Sequence, residues 1–384
     1  MTVYVLCFLA LFVCSESTLK KNLILVRFLL ISVAFVFCFG YMTGSDWRSY
    51  ESYYSWFNSK QSILEYLTYF TIEPGYVIYS YVFSVIGFSF WPFFIITKLI
   101  LFFFFITFIK RFSVDNYLFN IMFFLGVFGL FLFIDNPMRN LIAVVISLFS
   151  YKYLEQRKFA LFLLVIIVAV CFHISALLLL LVYPFYPIKI TTRNLTFVFI
   201  LFFIFSPLLF DFVVYGFMGA FSFIPLVALK LQHYFIDSDS MNNVRLFTLG
   251  NLFQFSFGLL LLYKRQFIES IDKGKIIFFG TICYLLLYRL ASGIEILYRF
   301  QLYFLLFYVV GLCTTICAIK IKSNKIIIKS LLICYLIFMI YSTLTSTIHY
   351  VPYSNYVEYL FSEELPFEYR SNYNYKHSPY GLIN

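Results

Sequence analysis

Long apolar runs alternate with short polar breaks along this chain, and the runs set its architecture. A helix needs roughly 17–25 apolar residues to cross a bilayer core. Apolar runs lie at roughly 2–19, 23–43, 92–109, 117–134, 139–154, 159–172, 174–187, 194–214, 248–263, 276–291, 299–318 and 326–344. The pattern predicts an all-α polytopic membrane protein with about twelve transmembrane helices. The two runs that flank His173 are short, which predicts tilted or re-entrant segments there.

The polar breaks are as informative. Residues 44–91 open with Gly44-Ser45-Asp46-Trp47 and run on through Glu73-Pro74-Gly75-Tyr76. The apolar stretch 76–89 is too short for a comfortable span, so we expect an outer-face interfacial helix there. Residues 215–247 form a second outer loop. A Tyr-rich, non-cytoplasmic tail, 345–384, either packs over the outer face or is partly disordered. Residues 1–344 read as one integral-membrane domain. No internal repeat is visible.

Charge then orients the chain. Of the 28 Lys and Arg residues, eighteen fall on one face, clustered at 20–27, 110–111, 152–158, 189–193, 264–275 and 320–329. The positive-inside rule makes that face cytoplasmic and leaves both termini outside. The opposite face holds thirteen of the 18 acidic residues, so its few arginines stand out. The net charge of +10 is therefore chiefly a topology signal, and no nucleic-acid partner is expected. With 62% hydrophobic residues, 12% charged residues and a mean hydropathy of +0.91, a soluble globular class is excluded. Residues Met1 to Cys14 resemble a signal-peptide core. They lack a basic start and a small-residue cleavage site, so they are counted as a span. The eight cysteines lie in or beside apolar segments and read as small buried hydrophobes.

Ionisable groups at the ends of apolar runs are costly and usually belong to a site. Four such groups end on the same outer face: Arg139, His173, Arg289 and Arg299. Arg139 carries a planar fork of donors suited to phosphate oxygens, or snorkels, or pairs with Asp135. His173 lies in a turn drawn into the bilayer and is a candidate general base. Asp46, Tyr50 and Tyr53 share helical spacing, and Asp46 can equally cap the helix that follows. Glu73 opens a second helix, as its cap or as a partner for a sugar hydroxyl. Arg299 either pairs with Glu295 four residues before it or, with Tyr298 and Tyr303, lines a diphosphate site, and Arg245 follows an acidic loop. No Walker loop, dinucleotide fingerprint, zinc motif or nucleophile elbow is present, so no cofactor is expected, and no metal is required although Asp46 and Glu73 could bind one.

Taken in order, these pieces resemble the EpsG-like, Wzy-type polymerases of bacterial O-antigen and exopolysaccharide. The resemblance rests on Gly44-Ser45-Asp46-Trp47 with Tyr50 and Tyr53, then Glu73-Pro74-Gly75-Tyr76. It continues through Arg139-Asn140-Leu141-Ile142-Ala143 and Phe172-His173-Ile174-Ser175-Ala176. Asn140 stands where that family usually has Gln. The second half is similar more loosely, through Arg299 and Tyr303. The resemblance implies a GT-C-like fold in the bacterial inner membrane with its active side on the outer face. The implied substrate is an oligosaccharide on undecaprenyl diphosphate, and a chain-length regulator is an implied partner. In that frame His173 or Asp46 serves as base, and Arg139 and Arg299, then Arg245 and Arg289, hold the diphosphate. Trp47, Tyr50, Tyr53, Glu73 and Tyr303 face the sugars. A flippase for the lipid-linked unit or a glycan ligase are the alternatives.

Overall fold

A computed structural model describes residues 1–59, 67, 72–186, 188–206, 216, 219, 248–291, 295–346 and 348–377. Among these residues the regular elements are all helical. Among the described residues five helices are long and apolar enough to cross a membrane: Phe90–Phe112, Tyr117–Asp135, Gly274–Ala291, Leu297–Cys317 and Lys322–Ser346. Other apolar helices run only 10–17 residues. At 1.5 Å per residue these reach about 15–26 Å, short of a ~30 Å core. The expected count of twelve spans thus exceeds what helix length alone supports. The reason lies in local chain breaks. The run 139–154 divides into helices Met138–Leu148 and Ser150–Glu155. The run 174–187 begins as a tight 3-10 helix, Ile174–Leu181, before Val182–Phe185.

The chain divides into two compact units. The first comprises residues 1–145, 171–173 and 321–384. At one end of it three basic clusters meet. Lys329 pairs with Glu16 at 2.5 Å, Lys325 lies 3.9 Å from Asp115, and the Asn116 amide donates to the Ser15 carbonyl at 2.6 Å. Helix Leu23–Cys38 starts there on Asn22, whose side chain accepts from the amides of Ile24 and Leu25. Lys98, buried within helix Phe90–Phe112, sets its ammonium 4.6 Å from the Phe94 ring centre.

Aromatic packing builds the other end of this unit. Helix Trp47–Ser55 buries Trp47, Tyr50 and Tyr54. They pack with Tyr41, Tyr76, Trp91 and Phe93 in one cluster. The tail closes over it: the Tyr41 amide donates to Ser354, the Tyr356 amide to Phe39, and the Tyr41 hydroxyl accepts from the Leu365 amide. Arg370 donates to the carbonyls of Pro352, Ile348 and His349. The long helix Tyr117–Asp135 changes pitch along its length. Its second half, Leu125–Asp135, is π-helical and ends on Asn136 at φ 59°. Runs of π-helix are rare and cluster at functional positions.

The second unit comprises residues 146–170 and 174–320. Its core is the pair of helices Gly274–Ala291 and Leu305–Cys317. Tyr284 stacks on Tyr308 at 4.1 Å, and the Thr281 hydroxyl donates to the Phe307 carbonyl. Thr191 and Thr248 cap helices Thr192–Phe205 and Leu249–Tyr263. Here too the basic clusters gather. Lys273 pairs with Glu155 at 2.9 Å, and Arg265 donates to the Ile190 carbonyl at 2.7 Å.

Candidate functional site

Four sequence elements converge at the aromatic end of the first unit: residues 44–50, 73–76, 135–140 and 171–173. Glycine makes two of the approaches possible. Gly44 adopts φ +83°, and a Cβ there would lie 2.1 Å from the Ile134 carbonyl oxygen. Gly75 donates its amide to the Cys171 carbonyl at 2.7 Å, and its missing Cβ would meet that oxygen at 2.7 Å. The Glu73 turn is thereby seated directly on the turn that holds His173.

Arg139 is the centre of this convergence. Its Nη1 donates to the Glu73 carboxylate at 2.6 Å. Glu73 is 8% exposed and Arg139 24%. The Tyr50 hydroxyl accepts from the Arg139 backbone amide at 3.4 Å, which fixes the start of helix Met138–Leu148. The Arg139 Nε has no hydrogen-bond partner among the described residues. A buried donor left unmade is costly, so this edge of the guanidinium is suited to an incoming oxyanion.

The next residue reaches the histidine. Asn140 Nδ2 lies 3.4 Å from His173 Nδ1, and both side chains are buried. The Asn140 amide nitrogen can only donate, so Nδ1 accepts this bond and the neutral ring carries its proton on Nε2; the amide turned end for end would accept from Nδ1–H and leave Nε2 bare. Asp135 is engaged elsewhere: it accepts from the Ser45 amide at 3.0 Å and from the Tyr350 hydroxyl. Arg139 therefore pairs with Glu73 and not with Asp135.

Several expectations from sequence change in this light. Asp46 stands at the N-cap position of helix Trp47–Ser55 but makes no capping bond there; the Ser45 hydroxyl donates to it at 3.3 Å. Glu73 also makes no cap bond, because its carboxylate is taken by Arg139. The buried face of helix Trp47–Ser55 is 47, 50 and 54, so Asp46 and Tyr53 sit at its half-buried margin. Trp47 and Tyr50, 0% and 4% exposed, pack into the aromatic cluster and present no open ring face to a sugar. Beside them, on the same helix, burial and then the Glu364 carboxylate push the Glu51 carboxyl up to about 7.

The remaining candidates lie in the second unit. Tyr303 is fully buried, with its hydroxyl 3.0 Å from that of Ser175 and its carbonyl accepting from Tyr151. Arg289 is 1% exposed and donates through Nε to the Phe203 carbonyl. It is held inside this unit. Arg299 is half-buried in the last turn of helix Glu295–Gln301. Arg245 and most of the loop 215–247 lie outside the described residues. Among the described residues no group of three or more His, Cys, Asp or Glu is arranged to hold a metal ion.

Sequence reasoning missed three participants. One is the Glu73–Arg139 pair, which joins residues 66 positions apart. The second is the Cys171 carbonyl, since backbone acceptors leave no mark in a sequence. The third is Asn136, fully buried in a left-handed conformation, with neither amide atom bonded among the described residues. An Asn-Pro step after an apolar run was its only signal.

A comparison with family models matches residues 23–357 to the EpsG family. The chain belongs to the EpsG family. That match spans all four convergent elements. The EpsG family includes Wzy-type polymerases and is generally glycosyltransferase-like, which makes this a polysaccharide polymerase-like membrane protein. Searches of curated proteins and of solved structures return no significant match.

Proposed function

We propose that this EpsG-family protein polymerises a surface glycan at the outer face of the bacterial inner membrane. The growing chain, held on undecaprenyl diphosphate, is transferred to the terminal sugar of the next lipid-linked unit. The acceptor oxygen loses its proton to a base and attacks the anomeric carbon. The bond from that carbon to the diphosphate breaks, and its electron pair leaves with undecaprenyl diphosphate. The observation that carries this reading is Arg139, anchored through one nitrogen by Glu73 with a second donor unused, one residue from the Asn140–His173 contact.

Charge builds on the diphosphate as the bond breaks. A fixed guanidinium stabilises that charge without reorganising, and such preorganised electrostatics usually lower the barrier more than any other feature of a site. Arg139 takes that role, and Glu73 positions it. His173 is the base on this reading: with the Asn140 amide turned so that its Oδ1 accepts from Nδ1–H, Nε2 is free to take the acceptor's proton. Asp46, half-buried at the margin of the same end, is the second candidate base. Arg299 and Arg245 are further diphosphate ligands, and a chain-length regulator is the expected partner. The energy of transfer already resides in the glycosyl diphosphate bond, so no nucleotide is needed.

Deleting the gene in its host and resolving surface glycan by size tests the class of reaction. Collapse of a ladder to single repeat units supports polymerisation. Accumulation of lipid-linked units on the cytoplasmic side supports a flippase, and polymer retained on its lipid carrier supports a ligase.

A further inference from the structure

The second unit carries a cleft that the proposed chemistry does not use. It encloses about 810 Å³ among Glu155, the segment from Phe185 to Thr191, Leu195, and residues from 265–269 and 275–282. Its lining mixes apolar and charged groups. Phe185, Ile188 and Ile190 are 61%, 53% and 36% exposed. The charges do not cancel. Both acidic residues are already neutralised, Glu155 by Lys273 at 2.9 Å and Glu269 by Arg265 at 2.7 Å. Lys189 and Lys275 also line the cleft, both exposed, and neither is ion-paired among the described residues. The cleft therefore holds two uncompensated ammonium groups among exposed apolar side chains.

We infer that this cleft binds the headgroup of an anionic glycerophospholipid. The chemistry selects that occupant. A phosphate answers the two lysines. The exposed Phe185 and Ile188 would face water with a soluble anion, whereas acyl chains cover them. A zwitterionic lipid brings its own cation and gains little from the surplus charge. The cleft sits at the end of the unit where the basic clusters gather, the face that charge asymmetry assigns to the cytoplasm, where anionic lipid is a normal constituent.

The test is lipid retention by the full-length protein purified in detergent. Phosphatidylglycerol, phosphatidylcholine or inorganic phosphate is titrated, and bound species are read by native mass spectrometry. The wild type should retain phosphatidylglycerol over phosphatidylcholine. The double variant Lys189→Gln/Lys275→Gln should bind it about tenfold more weakly or less, since each basic residue near a membrane surface contributes severalfold. A charge-matched control, Arg193→Gln/Lys320→Gln, removes two cations outside the cleft and should retain the lipid as the wild type does. Both pairs are exposed, so each variant's melting temperature without lipid should match the wild type. Equal retention of the two lipids, or undiminished phosphatidylglycerol binding in the cleft variant, overturns the inference. Inorganic phosphate that competes as tightly as the lipid also overturns it, by assigning the cleft to a soluble anion.

Discussion

Exchanging Glu73 and Arg139 separates holding the fold from acting on substrate. The two groups lie 2.6 Å apart, with Glu73 8% and Arg139 24% exposed. Breaking a fully buried pair costs roughly 3–5 kcal/mol and an exposed one roughly 0–1. The asymmetry in burial orders the single variants. Arg139→Gln strands the more buried carboxylate and should destabilise by about 3 kcal/mol, whereas Glu73→Gln strands the more exposed cation and should cost about 1–2. The exchange Glu73→Arg/Arg139→Glu restores an ion pair in the same place and should recover much of the lost stability. It also puts a carboxylate where the diphosphate must sit. Thermal unfolding in detergent gives stability, and chain extension of a purified lipid-linked repeat unit gives activity. We expect Glu73→Gln to keep partial activity, Arg139→Gln to lose it, and the exchanged protein to fold but stay inactive. An exchanged protein that polymerises normally would refute the reasoning, because the pair would then be only a structural clasp.

Three other perturbations follow from the same geometry. Gly75→Ala adds a Cβ 2.7 Å from the rigid Cys171 carbonyl oxygen; it should cost about 1–3 kcal/mol and lower turnover, and unchanged melting and activity would show that the turns are not in contact. Asn140→Leu removes the contact at His173 Nδ1 and should lower kcat roughly tenfold or more with KM little changed, while Asn140→Gln should restore turnover; a loss confined to KM would argue against a role in setting the ring tautomer. Glu51 has an ordinary carboxyl pKa of 4.5 and is raised to about 7 in the fold. The folded state therefore holds a proton that the unfolded chain has lost, and stability falls as pH rises from about 4.5 to about 7. Glu51→Gln should melt with the wild type at pH 4 and above it at pH 8, and parallel melting at both pH values would contradict that assignment.

Much of this site is legible in the amino-acid sequence, for a physical reason. Charged and aromatic residues at the ends of apolar runs are conspicuous against a membrane background, so Asp46, Glu73, Arg139 and His173 can each be singled out. Their partners cannot. Arg139 has Asp135 four residues away in sequence, and nothing local reveals that Glu73 is brought to it by Gly75 docking on Cys171. Helical spacing places Asp46, Tyr50 and Tyr53 on one face, but the helix begins at Trp47 and buries 47, 50 and 54 instead. The aromatic residues mislead because Trp and Tyr serve packing and ligand stacking equally well, and here Trp47 and Tyr50 pack. Span counting treats each apolar run as one straight helix, and helix length supports fewer spans among the described residues. The break between helices Met138–Leu148 and Ser150–Glu155 and the 3-10 stretch Ile174–Leu181 have no hydropathy signature.

The most direct test of the central claim is Arg139→Lys in a purified chain-extension assay with a lipid-diphosphate-linked repeat unit. Lysine keeps the charge but not the planar fork that donates to Glu73 and to an oxyanion together. The account predicts normal membrane insertion, unaltered binding of the acceptor unit, and loss of kcat by about a hundredfold or more, the scale of removing a fixed oxyanion donor. Near-wild-type turnover in Arg139→Lys would contradict the account, and the diphosphate would then have to be held elsewhere.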